Sequence, residues 1–271
     1  MSNLELCFVL GAQDPEMDII ERLLSDLGLP YRYATKNGLR VHPGVMYDAD
    51  PDDASGIRIE CCSAGGVSHI DHHRPGDPGY AMPPAQYFEA SSLGQVIALL
   101  ARHGIEVSVT EEMKVAAAAD HCVAAAYQGQ CPGIALEALA SQRAENIAKA
   151  VGCSVAEVHE AVARIAAYAE TAPVIVIGGQ PVKDLRGCFA VVPPGYSLEY
   201  LGLLEAAAKH GYAFLGCGAD PAHADVPARP KLILSGTVSK EAVVTFLSEN
   251  PLGLVDLYGV PERGYAGGYL S

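Results

Sequence analysis

The chain contains no Trp and only five Phe among its 271 residues, so its hydrophobic core must rest on Ala, Val, Leu and Ile. Positive charge is also scarce. Eighteen Lys and Arg stand against 32 Asp and Glu, a formal net charge of -14, and no Lys/Arg run occurs. Long nucleic acids are bound by basic surfaces that release counterions from phosphates, and anionic membranes by similar ones. Neither is an expected partner of this chain. A small phosphorylated ligand stays open, because a divalent ion in a pocket reverses the local field. No apolar run approaches the ~20 residues of a membrane span, and Met1 to Leu10 lacks the basic and apolar regions of a leader. The expectation is a cytoplasmic protein.

Other signatures are missing as well. The eight cysteines (Cys7, Cys61, Cys62, Cys122, Cys131, Cys153, Cys188 and Cys217) are scattered and form no CxxC pair. Neither a disulfide framework nor a structural zinc site is supported; they read as small buried hydrophobes of a reducing compartment. GxxxxGK[ST], GxSxG, HExxH and GxGxxG do not occur.

What is present alternates short apolar runs with helical patterns. Leu4 to Gly11 reads as a buried strand. Asp14 then caps a helix with Pro15 at its first position, and Gly28 stops it. Tyr31 to Asp53 reads as loop, Gly56 to Ala64 as a second strand, and Val67 to Ile70 as a lead into Asp71-His72-His73. Arg74 to Pro84, with four Pro and two Gly, must be irregular. Helices are expected over Leu93 to His103, Glu111 to Tyr127, Ile134 to Val151 and Val155 to Glu170. Strands follow at Pro173 to Ile177, Cys188 to Val192, Tyr212 to Cys217 and Lys231 to Leu234, with helices at Leu198 to His210 and Lys240 to Glu249. The expected fold is α/β, an N-terminal domain over 1–170 with a mostly parallel sheet flanked by helices, and a smaller α/β domain over 171–271.

Chemistry concentrates in a few places. Asp71-His72-His73 follows a strand, where open α/β sheets place their sites, and imidazole with carboxylate suits Mn, Fe, Co or Zn. Asp120-His121 lies in an Ala-rich helix, where the pair either faces a pocket or faces water. Asp14 and Glu16 follow the first strand, yet Asp-Pro-Glu is also a sound helix start in its own right. Glu60 ends the second strand, as a ligand or an Arg partner. Arg74 suits a phosphate contact or a rigid connector. Arg263 with Gly267 and Gly268 combines a cation with backbone that can approach phosphate closely, or belongs to a loose tail.

Read in order, Asp14-Pro15-Glu16, Glu60, Asp71-His72-His73 and Asp120 resemble the ordered motifs of the DHH family of phosphoesterases. The stretch ASSLGQVIALLARHG, followed by EEMKVAAAADH, is similar to that family's segment between its third and fourth motifs, and GYAGGY occupies the place of its glycine-rich motif. The resemblance implies that Asp14, Glu16, Glu60, His72 and Asp120 hold one or two divalent ions, Mn first, with Mg, Fe, Co or Zn as options. It implies that Asp71 orients His72 and that His73 faces the phosphate as a catalytic group. Arg74, His121, Arg263, Gly267 and Gly268 would contact a small phosphate ester, nucleotide or dinucleotide. Self-association is left open. The chain departs from the pattern at Leu10, where the family has a metal-binding His, at Glu16 and Glu60, where it has Asp, and after His223, where it has a His. His121 or His42 would then compensate, or a metal is lost. A ligand-binding protein without hydrolysis, and a metalloenzyme with non-phosphate chemistry, are the alternative expectations.

Overall fold

The computed structural model describes residues 6–42, 46–50, 56–61, 69–193, 197–220 and 229–271. Leu4, Glu5, Cys62 to Ala64, Val67, Ser68 and His223, all used in the reading above, lie outside them.

The described residues form two compact units. In the first, strand β1 (Phe8–Leu10) leads into helix α1 (Pro15–Asp26). Asp14 caps α1, accepting from the Met17 amide at 2.7 Å, and Pro15 fills the first helical position as expected. Strand β2 (Tyr31–Tyr33) and a hairpin of β3 (Thr35–Lys36) and β4 (Leu39–Arg40) follow, so the segment read as loop is partly strand. Then come β5 (Ile57–Ile59) and β6 (His69–Ile70). The sheet is wholly parallel, in the order β2-β1-β5-β6.

Both faces of this sheet are covered, as parallel sheets require. Phe8 and Leu10 point into a core with Met17, Ile20 and Leu24 of α1 and with Leu93, Val96 and Leu100. Val9 points the other way, onto Ala34, Val41 and Met46. Each such large buried side chain contributes about 1.5–3 kcal/mol. Helices α2 (Tyr87–Ala90), α3 (Ser92–Arg102) and α4 (Glu111–Tyr127) complete the unit, with Ser91 capping α3. Helix α4 breaks at Cys122 (φ -159, ψ 56), and there the chain passes from the first unit to the second.

The second unit comprises 123–130 and everything from Ala135. Helices α5 (Leu136–Val151) and α6 (Val155–Thr171) bury Ile147, Val158, Val162 and Ile165 against Leu203 and Phe214. They therefore belong to the C-terminal core, and the expected boundary at 170/171 falls inside this unit. Strands β7 (Val174–Ile177) and β8 (Gln180–Asp184), helix α7 (Leu198–His210), strands β9 (Ala213–Asp220) and β10 (Arg229–Gly236), helix α8 (Lys240–Glu249) and strands β11 (Val255–Val260) and β12 (Tyr265–Tyr269) follow. They form a mixed six-stranded sheet, β11-β12-β10-β9-β8-β7. Cys188 to Val192 is not a strand; it pairs with nothing in the sheet, and Val191 is exposed. Among the described residues, no helix is long and apolar enough to cross a membrane.

Candidate metal centre

The parallel register places the site. Leu10 pairs with Ile59, and Ile59 with Ile70, so Gly11, Glu60 and Asp71 leave the sheet side by side at its carboxyl edge. The packing there is close. A Cβ on Gly11 would lie 2.2 Å from the Glu60 carbonyl oxygen, so the position admits only glycine. Glu60 itself is held at φ 48, in the left-handed region that ordinary residues avoid. Its side chain is buried.

Asp71 organises the triplet. Its Oδ1 accepts from the amides of His72 (2.7 Å) and His73 (3.0 Å) and from His73 Nδ1 (2.8 Å). Its Oδ2 accepts from the Tyr47 hydroxyl at 2.8 Å. Burial raises the pKa of this carboxyl, but the His73 and Tyr47 hydrogen bonds and the His73 charge prevail and bring it down to about 2. Tyr47 keeps its proton, pushed up by burial and by the Asp71 charge. An ionised Asp71 can only accept, so His73 carries its proton on Nδ1 and presents Nε2.

His72 is fixed by a similar chain. His121 Nε2 lies 3.0 Å from the Met82 carbonyl, which can only accept, so that nitrogen is the donor. In neutral His121 the other nitrogen, Nδ1, is then an acceptor, and it lies 3.1 Å from His72 Nδ1. His72 Nδ1 therefore carries the proton, and Nε2 is the atom turned to the acids. It lies 2.7 Å from Asp120 Oδ2 and 3.5 Å from Glu60 Oε1, without hydrogen-bond alignment to either. Burial would push the His72 imidazole down, but Asp120 and Glu60 outweigh it and lift it to about 11. Without a cation, a second proton occupies the place that a cation would take.

Asp14 and Glu16 complete the acidic cluster. Glu16 is buried, and its Oε1 accepts from the Leu93 amide at the start of α3 (3.2 Å). Both carboxyls are pushed well above the usual range, by burial first and then by the Glu60 and Asp120 charges. Buried acids crowded in this way cannot all ionise without a compensating charge. Glu16 Oε2, Glu60 Oε1 and His72 Nε2 are buried without a hydrogen-bond partner, which a metal ligand set would explain. Ligand atoms of Glu60, His72, His73 and Asp120 all lie within 4.8 Å of one another, so this group could hold a metal ion.

The structure thus brings together His72, His73, Glu60 and Asp120, with Asp14 and Glu16 electrostatically beside them. His73, expected to face substrate, sits in the ligand group. His121, expected to contact substrate, touches His72 instead. His42 is not in the ligand group. Leu10 is fully buried in the core beneath the site. Arg74 stacks over the Tyr47 ring, 3.0 Å from its centroid. Arg263, Gly267 and Gly268 belong to the second unit. There the two glycines lie in β12, where a Cβ would meet Tyr258 at 2.5 Å and Leu254 at 2.8 Å, respectively. Tyr47 and Gln95, whose Nε2 donates to the Asp71 carbonyl (3.0 Å), escaped the sequence reading. Each lies 24 residues from Asp71 in an unremarkable context, and no spacing signal marks either. Comparison with family models, curated proteins and solved structures finds no match.

Proposed function

We propose that this chain is a divalent-metal-dependent phosphoesterase of the DHH kind, acting on a small phosphate ester, nucleotide or dinucleotide. One observation carries the reading: Glu60, His72, His73 and Asp120, from separate motifs, bring ligand atoms within 4.8 Å of one another beside the carboxyl edge of a parallel sheet, and Asp14 and Glu16 feel the charges of Glu60 and Asp120. The donor set fits a divalent ion. It is rich in carboxylate oxygen with one or two imidazoles, which favours Mn over softer ions while admitting Mg, Fe, Co and Zn.

A bound divalent ion supplies a hydroxide at neutral pH and neutralises charge on phosphoryl oxygens. The remaining work falls to the chain. His121 and the Met82 carbonyl hold His72 in one tautomer. Asp71 orients His73, whose side chain is 21% exposed and stands at the open side of the cluster, where it can hold a proton at Nε2 for a phosphoryl group. Arg74, exposed and stacked on Tyr47, offers a cation to an incoming phosphate. A cytoplasmic setting belongs to the same proposal, because scattered cysteines suit a reducing compartment.

The test is release of phosphate or nucleotide from a panel of phosphate mono- and diesters by the Mn-loaded protein, with His72→Ala as control. Turnover abolished by His72→Ala supports the proposal; no turnover by the metal-loaded wild type on any ester overturns it. A second reading, ligand binding without hydrolysis, draws on Leu10, whose burial in the core puts no imidazole at that position. Phosphate-ester binding that survives His72→Ala, with no turnover, would select it.

A further inference from the structure

A pair of cysteines meets at the break in helix α4. Cys122 Sγ and Cys131 Sγ lie 3.3 Å apart, within the first unit. The chain geometry explains the approach. After Cys122 the helix runs on to Tyr127 and ends in a cap, where the Gly129 amide donates to the Ala126 carbonyl and the Gln130 amide to the Ala125 carbonyl, both at 3.0 Å. Gly129 takes the left-handed conformation that such a cap requires (φ 71). The chain thereby reverses and returns Cys131 to Cys122. Among the described residues no disulfide is formed.

We infer that Cys122 and Cys131 are a reversible redox-modification site, whose oxidant is hydrogen peroxide, and that closing the bond weakens metal binding at the neighbouring centre. Cys122 is the more accessible of the two, and Cys131 is buried. The Cys122 thiolate attacks a peroxide oxygen, the O–O bond breaks, and the departing hydroxide takes up the thiol proton as water. The resulting sulfenic acid is attacked at sulfur by the Cys131 thiolate; the S–S bond forms and a second water leaves. Two thiols lose two electrons and two protons, and the peroxide accepts both.

The consequence follows from position. A disulfide has an S–S distance of about 2.05 Å, so bonding must draw the sulfurs together by roughly 1.3 Å. Cys122 already holds non-helical backbone and follows His121 directly. His121 holds the Nδ1 of His72, and Asp120 contacts its Nε2. The two residues share that movement, and the part taken up by the Cys122 backbone passes directly to His121 and Asp120, the groups that set ligand geometry. The coupling to metal rests on the centre proposed above; the thiol chemistry does not.

The protein is treated with hydrogen peroxide, alkylated and mapped without reduction, and its affinity for Mn is measured by calorimetry before and after dithiothreitol. The expected result is a linked Cys122–Cys131 peptide, Mn binding weaker by about tenfold or more, and recovery on reduction. Cys131→Ser, shown to be folded by its thermal transition, should bind Mn like the reduced wild type and stop at the Cys122 sulfenic acid on peroxide treatment, giving no linked peptide. Both thiols remaining open to alkylation after peroxide would overturn the site. A linked protein that binds Mn as tightly as the reduced one would overturn the coupling. Failure of the reduced protein to bind Mn at all would sink the metal centre and the coupling together, while the peptide map still decides the thiol pair.

Discussion

The Nδ1 atoms of His72 and His121 stand 3.1 Å apart, and the Met82 carbonyl at the far side of His121 decides which of the two donates. Through this contact a backbone carbonyl, 39 residues before His121, fixes the tautomer of a buried imidazole. Partners of this type raise ligand basicity and hold ring orientation.

His121→Ala should accordingly weaken Mn binding by about 10- to 100-fold while leaving the fold intact. Asn at this position can offer an amide oxygen near the lost Nδ1, so His121→Asn should recover part of the affinity. Titration calorimetry gives the affinities. Nitrogen chemical shifts of His72 report whether Nδ1 still carries the proton.

Tyr47→Phe removes a donor from a buried, ionised carboxylate. The expected cost is about 1.5–3 kcal/mol, the range for hydrogen bonds to charged groups. Urea unfolding of the metal-free protein measures it. An unchanged midpoint would mean that water replaces the hydroxyl at Asp71.

The metal-free protein should lose stability as pH rises. Asp14 and Glu16 have native values raised above their unfolded ones, so above about pH 4 the unfolded state sheds protons first and is favoured. His72, raised to about 11, acts in the same direction: its contribution is complete below about pH 6.5 and fades as pH climbs toward 11. Asp71, lowered to about 2, stabilises above its unfolded value and is lost only in strong acid. With chelator present, the thermal midpoint should be higher at pH 5.5 than at pH 8. Glu16→Gln should flatten that slope and raise the midpoint at pH 8. Added Mn should stabilise more at pH 8 than at pH 5.5, because protons compete for the ligands.

Gly11→Ala should destabilise by about 3 kcal/mol or more, at the upper end for overpacking, since its Cβ meets rigid backbone rather than a side-chain tip. Metal affinity should fall with it, because the atom in the way belongs to Glu60, a member of the candidate ligand group. Chemical denaturation and Mn titration of the same preparation check both effects.

Local chemistry was the legible part of this sequence. The Asp14 cap, Pro15 and the Gly28 stop announce α1, and the apolar run from Leu4 to Gly11 announces β1. Strand β2 was missed because YRY is only three residues long and has no apolar alternation. Strand β12 was missed because its glycines resemble a tail; they are small because Tyr258 and Leu254 press against them. The unit boundary was misplaced because the apolar stripes of α5 and α6 say that a helix is buried, not which sheet buries it. Within the site, acids and imidazoles were readable as types. Their meeting depended on strand register, and Tyr47 depended on a fold-level contact that no local pattern encodes.

The two-step ladder Leu10–Ile59–Ile70 acts as a ruler for the centre. It measures position along the strands and takes no account of the loops between them, so those loops can lengthen or shorten freely while Gly11, Glu60 and Asp71 stay abreast. Sliding β5 or β6 by a single residue would turn Glu60 or Asp71 to the opposite face of the sheet. An engineer could therefore exchange the side chains at the carboxyl edge to suit another ion, but could not add or delete one residue inside β1, β5 or β6 and keep a centre of any kind.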